Sequence, residues 1–329
     1  MDQSVGTRSK ALIERNATAE GLSLFASWKK TFGNVLLQTD LNVARYRFEQ
    51  AEATTLTTLS NGRVSVFNAP AVLREVETAT PNIGVAWSPS AGVTYRAAWQ
   101  DFMRSGSSVS LASQNTAGIS MDVPGLQAGG RIKRLRLQGE WELAPTQFLT
   151  AFADQREIRN LFNTDGTVLK ASSSLAQYDR LRQQSTGQNS SPESLEGSVN
   201  FAAGTIRTEG VVFESIANSE LSWTAAYIHA RTDNELYPKV SLPQFPEHTL
   251  RFGVNWLGPQ RWVVRSALIG RSERTADAQG SELLEQDWDL SISATWQDTQ
   301  KRRLFEVFAN RLGRKDDSAT LGLRGIWRF

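Results

Sequence analysis

Apolar and polar residues alternate along much of the chain. At its end, from Ala319 to Phe329, the odd positions are apolar or Gly, whereas the even positions are polar or small apart from Ile326. Successive side chains of a β-strand point to opposite faces, so this segment predicts a strand with one apolar and one largely polar face. No segment of comparable length keeps an apolar stripe of helical period, so we expect helices to be minor. The same alternation recurs in four other segments: 93–100, 134–143, 250–256 and 287–296.

The connections between the predicted strands alternate between short and long. Most of the short ones carry Gly, Pro or Asn, the residues that tight turns favour. Their ranges are 33–34, 88–92, 144–146, 217–220, 257–260, 298–301 and the charged 313–317. The long ones, rich in Ser, Thr, Asn, Gln and Gly, are 51–81, 103–130, 159–204, 233–246 and 274–286. This rhythm is typical of an antiparallel up-and-down β-barrel in a bacterial outer membrane, with short periplasmic turns and long extracellular loops.

We therefore predict an all-β fold, with a single transmembrane β-barrel domain over residues 1–329. A weaker strand near 8–17 brings the prediction to about 14 strands, within an accepted range of roughly 12 to 18. In hydrocarbon every backbone N–H and C=O needs an internal partner, so a spanning sheet is expected to close on itself. The clearer strands are predicted at 21–32, 34–50, 82–88, 92–102, 130–143, 146–158, 205–217, 220–232, 246–257, 260–273, 285–297, 301–312 and 318–329.

The tryptophans give an independent indication of the same fold. The chain has ten Trp, and eight of them lie close to a predicted short turn or to the C-terminus. Indole has an apolar body and one N–H donor, so it settles where hydrocarbon meets water. The rival interpretation is a large soluble β protein whose Trp residues simply flank turns. The predicted membrane-interface girdle comprises Trp28, Trp87, Trp141, Trp223, Trp256, Trp262, Trp296, Trp327 and Phe329.

Composition removes several classes of function. Lys plus Arg is 36 and Asp plus Glu is 34, and this near balance does not favour nucleic acid as a partner. Cysteine is absent, which excludes disulfides, thiolate metal sites and thiol nucleophiles. Only two histidines occur, His229 and His248, and both are predicted at the outer rim among the lipid-facing residues. We therefore predict no enzyme, no cofactor and no assigned metal, and leave calcium in the loops open.

Charged residues on the polar face are predicted to line the interior of the barrel. A lipid-facing Arg at mid-membrane costs about 2–4 kcal/mol, so at least the mid-strand ones should face inward. Rings of charge select the solutes that pass a pore, and the abundance of Arg favours an anionic or hydroxyl-rich solute. The alternative is that these side chains pair across strands and only solvate the interior. The predicted lumen-lining residues are Arg96, Arg134, Arg136, Glu140, Glu142, Arg251, Arg265, Asp287, Asp289, Arg324 and Arg328.

Several segments resemble known membrane barrels. The run LGLRGIWRF at 321–329 resembles the closing strand of Gram-negative outer-membrane barrels, which ends in Phe and is read by the barrel assembly machinery. PNIGVAWSP at 81–89, YRAAW at 95–99 and the segment 243–256 are similar to the C-terminal barrel of TonB-dependent receptors. Related barrels follow tetratricopeptide repeats in exporters of surface polysaccharide. The resemblance implies a bacterial outer membrane, contact with its lipid and lipopolysaccharide, and recognition of the C-terminal strand by the assembly machinery.

The chain also departs from that family. TonB-dependent receptors have a 22-stranded barrel around an N-terminal plug, and nothing before residue 20 resembles the plug or its energy-coupling box. The first residues, 1–6, have neither the basic start nor the apolar core of a secretory signal. We therefore expect the chain to be the C-terminal part of a longer precursor.

The leading hypothesis for function is a porin-like channel or transporter that passes a polar solute across the outer membrane. One alternative is a barrel anchor or export pore for a periplasmic repeat domain. Another is a surface receptor or adhesin that acts through the long loops 51–81, 103–130 and 159–204, because loops carry recognition. The polar loop 159–204 is expected to be mobile or folded into the lumen as a constriction.

Overall fold

A computed structural model gives the architecture of the protein. It describes residues 11–13, 17–50, 53–58, 64–69, 72–103, 115–121, 130–160, 203–276, 280–298, 303–312 and 319–327. The strands in these ranges are β1 (Ala11–Ile13), β2 (Ala17–Phe32), β3 (Val35–Gln50), β4 (Ala53–Thr58), β5 (Val64–Ala69), β6 (Val72–Ser90), β7 (Val93–Met103), β8 (Asn115–Thr116), β9 (Ile119–Ser120), β10 (Arg131–Ala144), β11 (Gln147–Arg159), β12 (Ala203–Ile216), β13 (Leu221–Asn234), β14 (His248–Leu257), β15 (Trp262–Arg271), β16 (Arg274–Thr275), β17 (Leu283–Leu284), β18 (Asp287–Gln297), β19 (Arg303–Leu312) and β20 (Thr320–Trp327).

One large antiparallel sheet holds thirteen of the described strands. Its order is β2-β3-β6-β7-β10-β11-β12-β13-β14-β15-β18-β19-β20, so every strand pairs with the barrel strand before it in the chain. This up-and-down order confirms the predicted fold class, and all thirteen clearer strands predicted from the alternation are present. In the described ranges β2 and β20 form the two edges, and no register joins one to the other.

Helical structure is minor, as the sequence predicts. Within the ranges given above, the single helical element is a 3-10 turn, Pro259–Arg261, between β14 and β15. No helix among the described residues is long and apolar enough to cross a membrane.

Two expectations about the N-terminal third are wrong. The weaker strand near 8–17 does not join the large sheet, because Ala11–Ile13 pairs with β4 in a separate three-stranded sheet. Residues 72–81 are also not a loop, since β6 begins at Val72 and pairs with β3 from Val72 to Trp87. Exposed ion pairs support this extension, and Arg45 Nε lies 3.2 Å from Glu77 Oε1. In this part of β6, charged residues occupy exposed positions that are apolar in the other strands, so the alternation is not recognisable in the sequence.

The large sheet has two faces of opposite character. Side chains on one face, called the apolar face here, are large, hydrophobic and exposed. Leu22 is 70% exposed on β2, Leu137 is 52% exposed on β10, and Leu321 is 77% exposed on β20. The other face, called the polar face, buries charged and amide side chains such as Asp40 and Arg134. A soluble protein would bury the first set and expose the second, so this sheet has the distribution that a lipid-exposed barrel requires.

Two segments fold back onto the polar face. The first is the β8–β9 hairpin, 115–120, which contacts β3, β6 and β7. The second, 236–247, is called the covering segment here, and it places the buried Leu242 and Phe245 against an apolar patch of the polar face. That patch consists of Ile132, Ile158 and Ile206, from β10, β11 and β12. Both segments belong to connections that the sequence predicts as extracellular loops.

Candidate functional site

A charged network occupies the middle of the polar face. Asp154, on β11, has a side chain with no exposed surface and accepts hydrogen bonds from three arginines. Arg134 donates from Nε at 2.8 Å, Arg156 from Nη2 at 3.0 Å and Arg136 from Nη1 at 3.4 Å. The strand register explains the meeting, because Arg134 is opposite Arg156 and Arg136 is opposite Asp154 in the β10–β11 ladder. Three cations therefore share one carboxylate in a site that is almost closed to solvent.

The network continues toward the short turns. Arg136 Nε donates to Gln138 Oε1 at 2.8 Å, and Gln138 Nε2 donates to Glu140 Oε1 at 2.7 Å. Glu140 in turn accepts two hydrogen bonds from Arg96, at 2.8 and 3.0 Å. The guanidinium of Arg136 also lies 4.1 Å from the ring centre of Phe152, a cation–π contact. Among the described residues, four guanidinium groups thus share two carboxylates in this network, an excess of positive charge.

The β8–β9 hairpin is attached to the network through its main chain. Arg96 Nη1 donates to the carbonyl of Ala117 at 2.8 Å, and Arg134 Nη1 donates to the carbonyl of Ser120 at 2.7 Å. Gln100 Nε2 donates to the carbonyl of Ile119 at 3.0 Å. These three side chains give main-chain carbonyls of the hairpin hydrogen-bond partners on the sheet. The arginines therefore hold a polypeptide segment across the polar face as well as neutralising carboxylates.

The hairpin also contacts Gln38 and Gly84 of the large sheet. Gln38 donates from Nε2 to the carbonyl of Asn115 at 3.0 Å and accepts from the amide of Ala117 at 2.9 Å. A Cβ atom on Gly84 would lie 2.8 Å from Ala117 Cβ and 2.9 Å from Thr116 Cγ2. Glycine at this position is therefore what lets the hairpin approach the sheet so closely.

A second ionic cluster lies on β15, β16 and β18, near the long connections. Arg274 Nη1 lies 2.9 Å from Asp287 Oδ1, and Arg271 Nη1 lies 3.4 Å from Asp287 Oδ2. Arg271 Nη2 also lies 3.7 Å from Asp289 Oδ2. These four side chains balance in charge, in contrast to the network around Asp154.

The polar face collects the predicted lumen-lining residues that the structure describes. The strand registers put ten of them on this face: Arg96, Arg134, Arg136, Glu140, Glu142, Arg251, Arg265, Asp287, Asp289 and Arg324. Arg324 Nη1 lies 3.9 Å from Glu306 Oε2 on the neighbouring strand. Glu142 and Arg265 are exposed and do not belong to either ionic cluster. Arg328 lies outside the described residues, so its predicted place stays a prediction.

Five residues of the two clusters were not among the predicted set. These are Asp154, Arg156, Gln138, Arg271 and Arg274. On β11 the apolar face carries Gln155 and Glu157, both exposed, so alternation of hydropathy fails where Asp154 and Arg156 lie. The sequence nevertheless contains a signal for this contact. The short β10–β11 turn at Ala144 fixes the register of the two strands, and this register pairs Arg136 with Asp154.

The tryptophans of the predicted girdle lie on the apolar face near its short turns, whereas Trp99 and Trp288 lie nearer the long connections. Tyr95 has its ring centre 5.7 Å from that of Trp87 and 6.0 Å from that of Trp141. Trp262 is directly opposite Trp296 in the β15–β18 ladder. The side chain of Trp327 and all of Phe329 lie outside the described residues. The seven predicted tryptophans whose side chains are described all belong to this row: Trp28, Trp87, Trp141, Trp223, Trp256, Trp262 and Trp296.

The two histidines lie together on the apolar face, at the end of the sheet with long connections. His229 on β13 is directly opposite His248 on β14, and their ring centres are 5.2 Å apart. This agrees with the rim position that the sequence predicts for them.

An up-and-down antiparallel sheet with exposed leucines on one face and a buried ionic network on the other defines the fold of an outer-membrane β-barrel. Comparison of the sequence with protein-family models and with curated proteins gives no match. Solved structures, however, share the fold, and they are receptors and transporters rather than enzymes.

Three of these structures illustrate the similarity. The ferric yersiniabactin uptake receptor FyuA from Yersinia pestis superposes with a TM-score of 0.56 at 11% identity, over 97% of this chain and 47% of that one. The ferric-catecholate import receptor Fiu from E. coli K12 gives 0.54 at 12% identity, over 91% and 41%. The copper transporter OprC gives 0.52 at 11% identity, over 92% and 44%. The fold is thus similar to that of the barrels of TonB-dependent receptors, and the chain spans about half the length of these proteins.

Proposed function

We propose that this chain is an outer-membrane β-barrel that takes part in the passage of a polar, anionic solute. The observation that carries the proposal is the pair of faces of the large sheet. Exposed leucines and a row of tryptophans suit lipid and its interface with water, whereas the opposite face carries charged and amide side chains that pair with one another away from lipid. On this proposal the apolar face contacts outer-membrane lipid and lipopolysaccharide, and the polar face lines the lumen.

The charge of the central network supports an anionic solute. In the part of the chain that the structure describes, the network contains two carboxylates, Glu140 and Asp154, against four arginines: Arg96, Arg134, Arg136 and Arg156. A low-dielectric wall lined with one sign of charge concentrates counter-ions of the other sign. Some neighbours that share the fold import metal chelates, among them the ferric citrate transporter FecA, and an anionic chelate fits this charge.

The hairpin 115–120 and the covering segment favour gated over free passage. Both lie against the polar face, where a solute would travel, and the hairpin is held by hydrogen bonds rather than by covalent links or apolar burial alone. A segment held in this way provides a constriction that a solute or a partner can displace. Recognition of the C-terminal strand by the barrel assembly machinery is part of the same proposal.

Single-channel recording in planar lipid bilayers tests the proposal. We expect stepwise currents, and in a KCl gradient a reversal potential that shows preference for chloride over potassium, because the network carries excess positive charge. A protein that inserts, as judged by heat-modifiable migration in detergent gels, yet conducts neither as the wild type nor after the hairpin has been displaced would contradict passage. That outcome would favour the alternatives, a docking barrel for a periplasmic repeat domain or a surface receptor.

Displacing the hairpin is expected to enlarge the channel. Gly84→Val puts a side chain where Ala117 and Thr116 now lie, within 3 Å of both, so the hairpin has to leave the sheet. Single-channel conductance of this variant should exceed that of the wild type. The matched control is Gly253→Val, also on the polar face, where a Cβ would meet only Ser266 O at 3.8 Å. Equal conductance in both variants would show that the hairpin does not limit the current.

A further inference from the structure

The rim of the sheet carries a compact group of nitrogen and oxygen donors. One donor atom from each of His229, Glu247 and His248 lies within 4.8 Å of those of the other two. His229 Nε2 is 3.4 Å from Glu247 Oε1. Two ligands of a tetrahedral zinc ion, each bound at 2.0–2.1 Å, are about 3.3 Å apart, so this pair already has the required spacing.

Each histidine ring is also held by a second polar group. His229 Nδ1 lies 2.9 Å from Glu209 Oε1, and the Tyr227 hydroxyl lies 2.9 Å from His248 Nδ1. A metal-binding histidine characteristically uses its other ring nitrogen in this way, and such a partner fixes the tautomer and the orientation of the ring. Neither contact is needed for the sheet, because β13 and β14 are paired through their backbones at this row.

Two imidazoles and a carboxylate identify the class of ion. Imidazole nitrogen suits zinc, copper and nickel, whereas calcium and magnesium take oxygen ligands. Glu209 and Glu247 are both largely exposed, so an ion from solution can reach the group and water can complete its coordination. We propose that His229, Glu247 and His248 form a binding site for a zinc-like divalent transition-metal ion at the rim, with Tyr227 and Glu209 as positioning residues.

The position of the site ties it to the covering segment. Glu247 is the last residue of that segment, and its carbonyl accepts a hydrogen bond from the amide of Ala230 at 2.8 Å. Two residues earlier, Phe245 is buried against the apolar patch of the polar face. An ion that links Glu247 to His229 therefore fixes the end of the covering segment to β13. This inference does not depend on what the barrel transports.

Zinc titration of the tag-free chain in detergent micelles, after treatment with EDTA, tests the site. Isothermal titration calorimetry should show one zinc ion per chain for the wild type. His229→Ala and His248→Ala should each lower the association constant at least tenfold, because each removes a ligand. Tyr227→Phe keeps all three ligands and should still lower it about tenfold, the usual loss when a group that orients a ligand is removed.

Glu235→Gln is the matched control. Glu235 is an exposed rim carboxylate that lies 3.7 Å from Arg159 and outside the donor group. The zinc affinity of the Glu235→Gln variant should therefore equal that of the wild type. Cobalt(II) gives a second readout that does not depend on stability: visible absorption bands of a nitrogen- and oxygen-bound ion should appear with the wild type and be lost with His229→Ala. If the wild type binds no zinc, or both histidine variants bind it as tightly, the site does not exist.

Discussion

Replacing Asp154 by Ala is expected to lower the free energy of unfolding by about 3–5 kcal/mol, the usual cost of removing one partner from a buried ion pair. The carboxylate is the shared acceptor of Arg134, Arg136 and Arg156, and none of these side chains has more than 3% of its surface exposed. Without it, three buried cations repel one another across two adjacent strands. Denaturant unfolding of the refolded barrel, followed by tryptophan fluorescence, measures the loss.

Asp233→Asn provides the matched control for that experiment. Asp233 also pairs with an arginine, Arg207, at 3.1 Å, but both side chains are more than half exposed. An exposed pair contributes only about 0–1 kcal/mol, so this variant should unfold close to the wild type. Similar unfolding curves for the Asp154 and Asp233 variants would mean that the central network is solvated and does not hold the strands together.

The second large effect is expected on the apolar face. Leu137→Arg places a charge at the middle of β10 on the face proposed to contact lipid, where an arginine costs about 2–4 kcal/mol. Unfolding from lipid bilayers by denaturant should show this loss, and heat-modifiable migration should report less folded barrel. Because Leu137 is half exposed, steric clashes of the larger side chain within the sheet do not by themselves account for a loss of this size.

Leu137→Ala separates the charge from the loss of the leucine. It removes the same side chain without adding a charge, and its effect on unfolding from the bilayer should be clearly smaller than that of Leu137→Arg. The lipid assignment of the apolar face fails if the two variants unfold alike.

The strands and their faces were accessible from the sequence because a spanning strand must separate lipid from water at every second residue. Leu321 and Leu323 on β20, and Trp288 to Trp296 on β18, keep this period without interruption. Short turns then leave little freedom in the register, so the faces of neighbouring strands follow from one another. The burial of Arg134 and Arg136 on the polar face is the direct result of that period.

The contacts within the site were less accessible, because they depend on register and on segments without a period. Asp154 lies on β11, where the polar Gln155 occupies the apolar face and interrupts the alternation. Its partners can therefore be identified only from the register of the β10–β11 ladder. His229 and His248 are separated by the covering segment and meet because β13 and β14 place them opposite each other. The predicted constriction by 159–204 falls largely on residues 161–202, which lie outside the described ranges, whereas 115–120 lies on the polar face.

The attachment of the hairpin 115–120 has a consequence for how this protein can vary. Arg96, Gln100 and Arg134 grip the hairpin by its carbonyl oxygens, which every amino acid possesses. Substitutions at the exposed Ser120 therefore leave the anchorage intact. Thr116, Ala117 and Ile119 are buried and Gly118 lies against Arg96, so these four positions have no room for a larger side chain. Exposed side chains of the hairpin can accordingly change their chemistry while its attachment to the sheet stays the same.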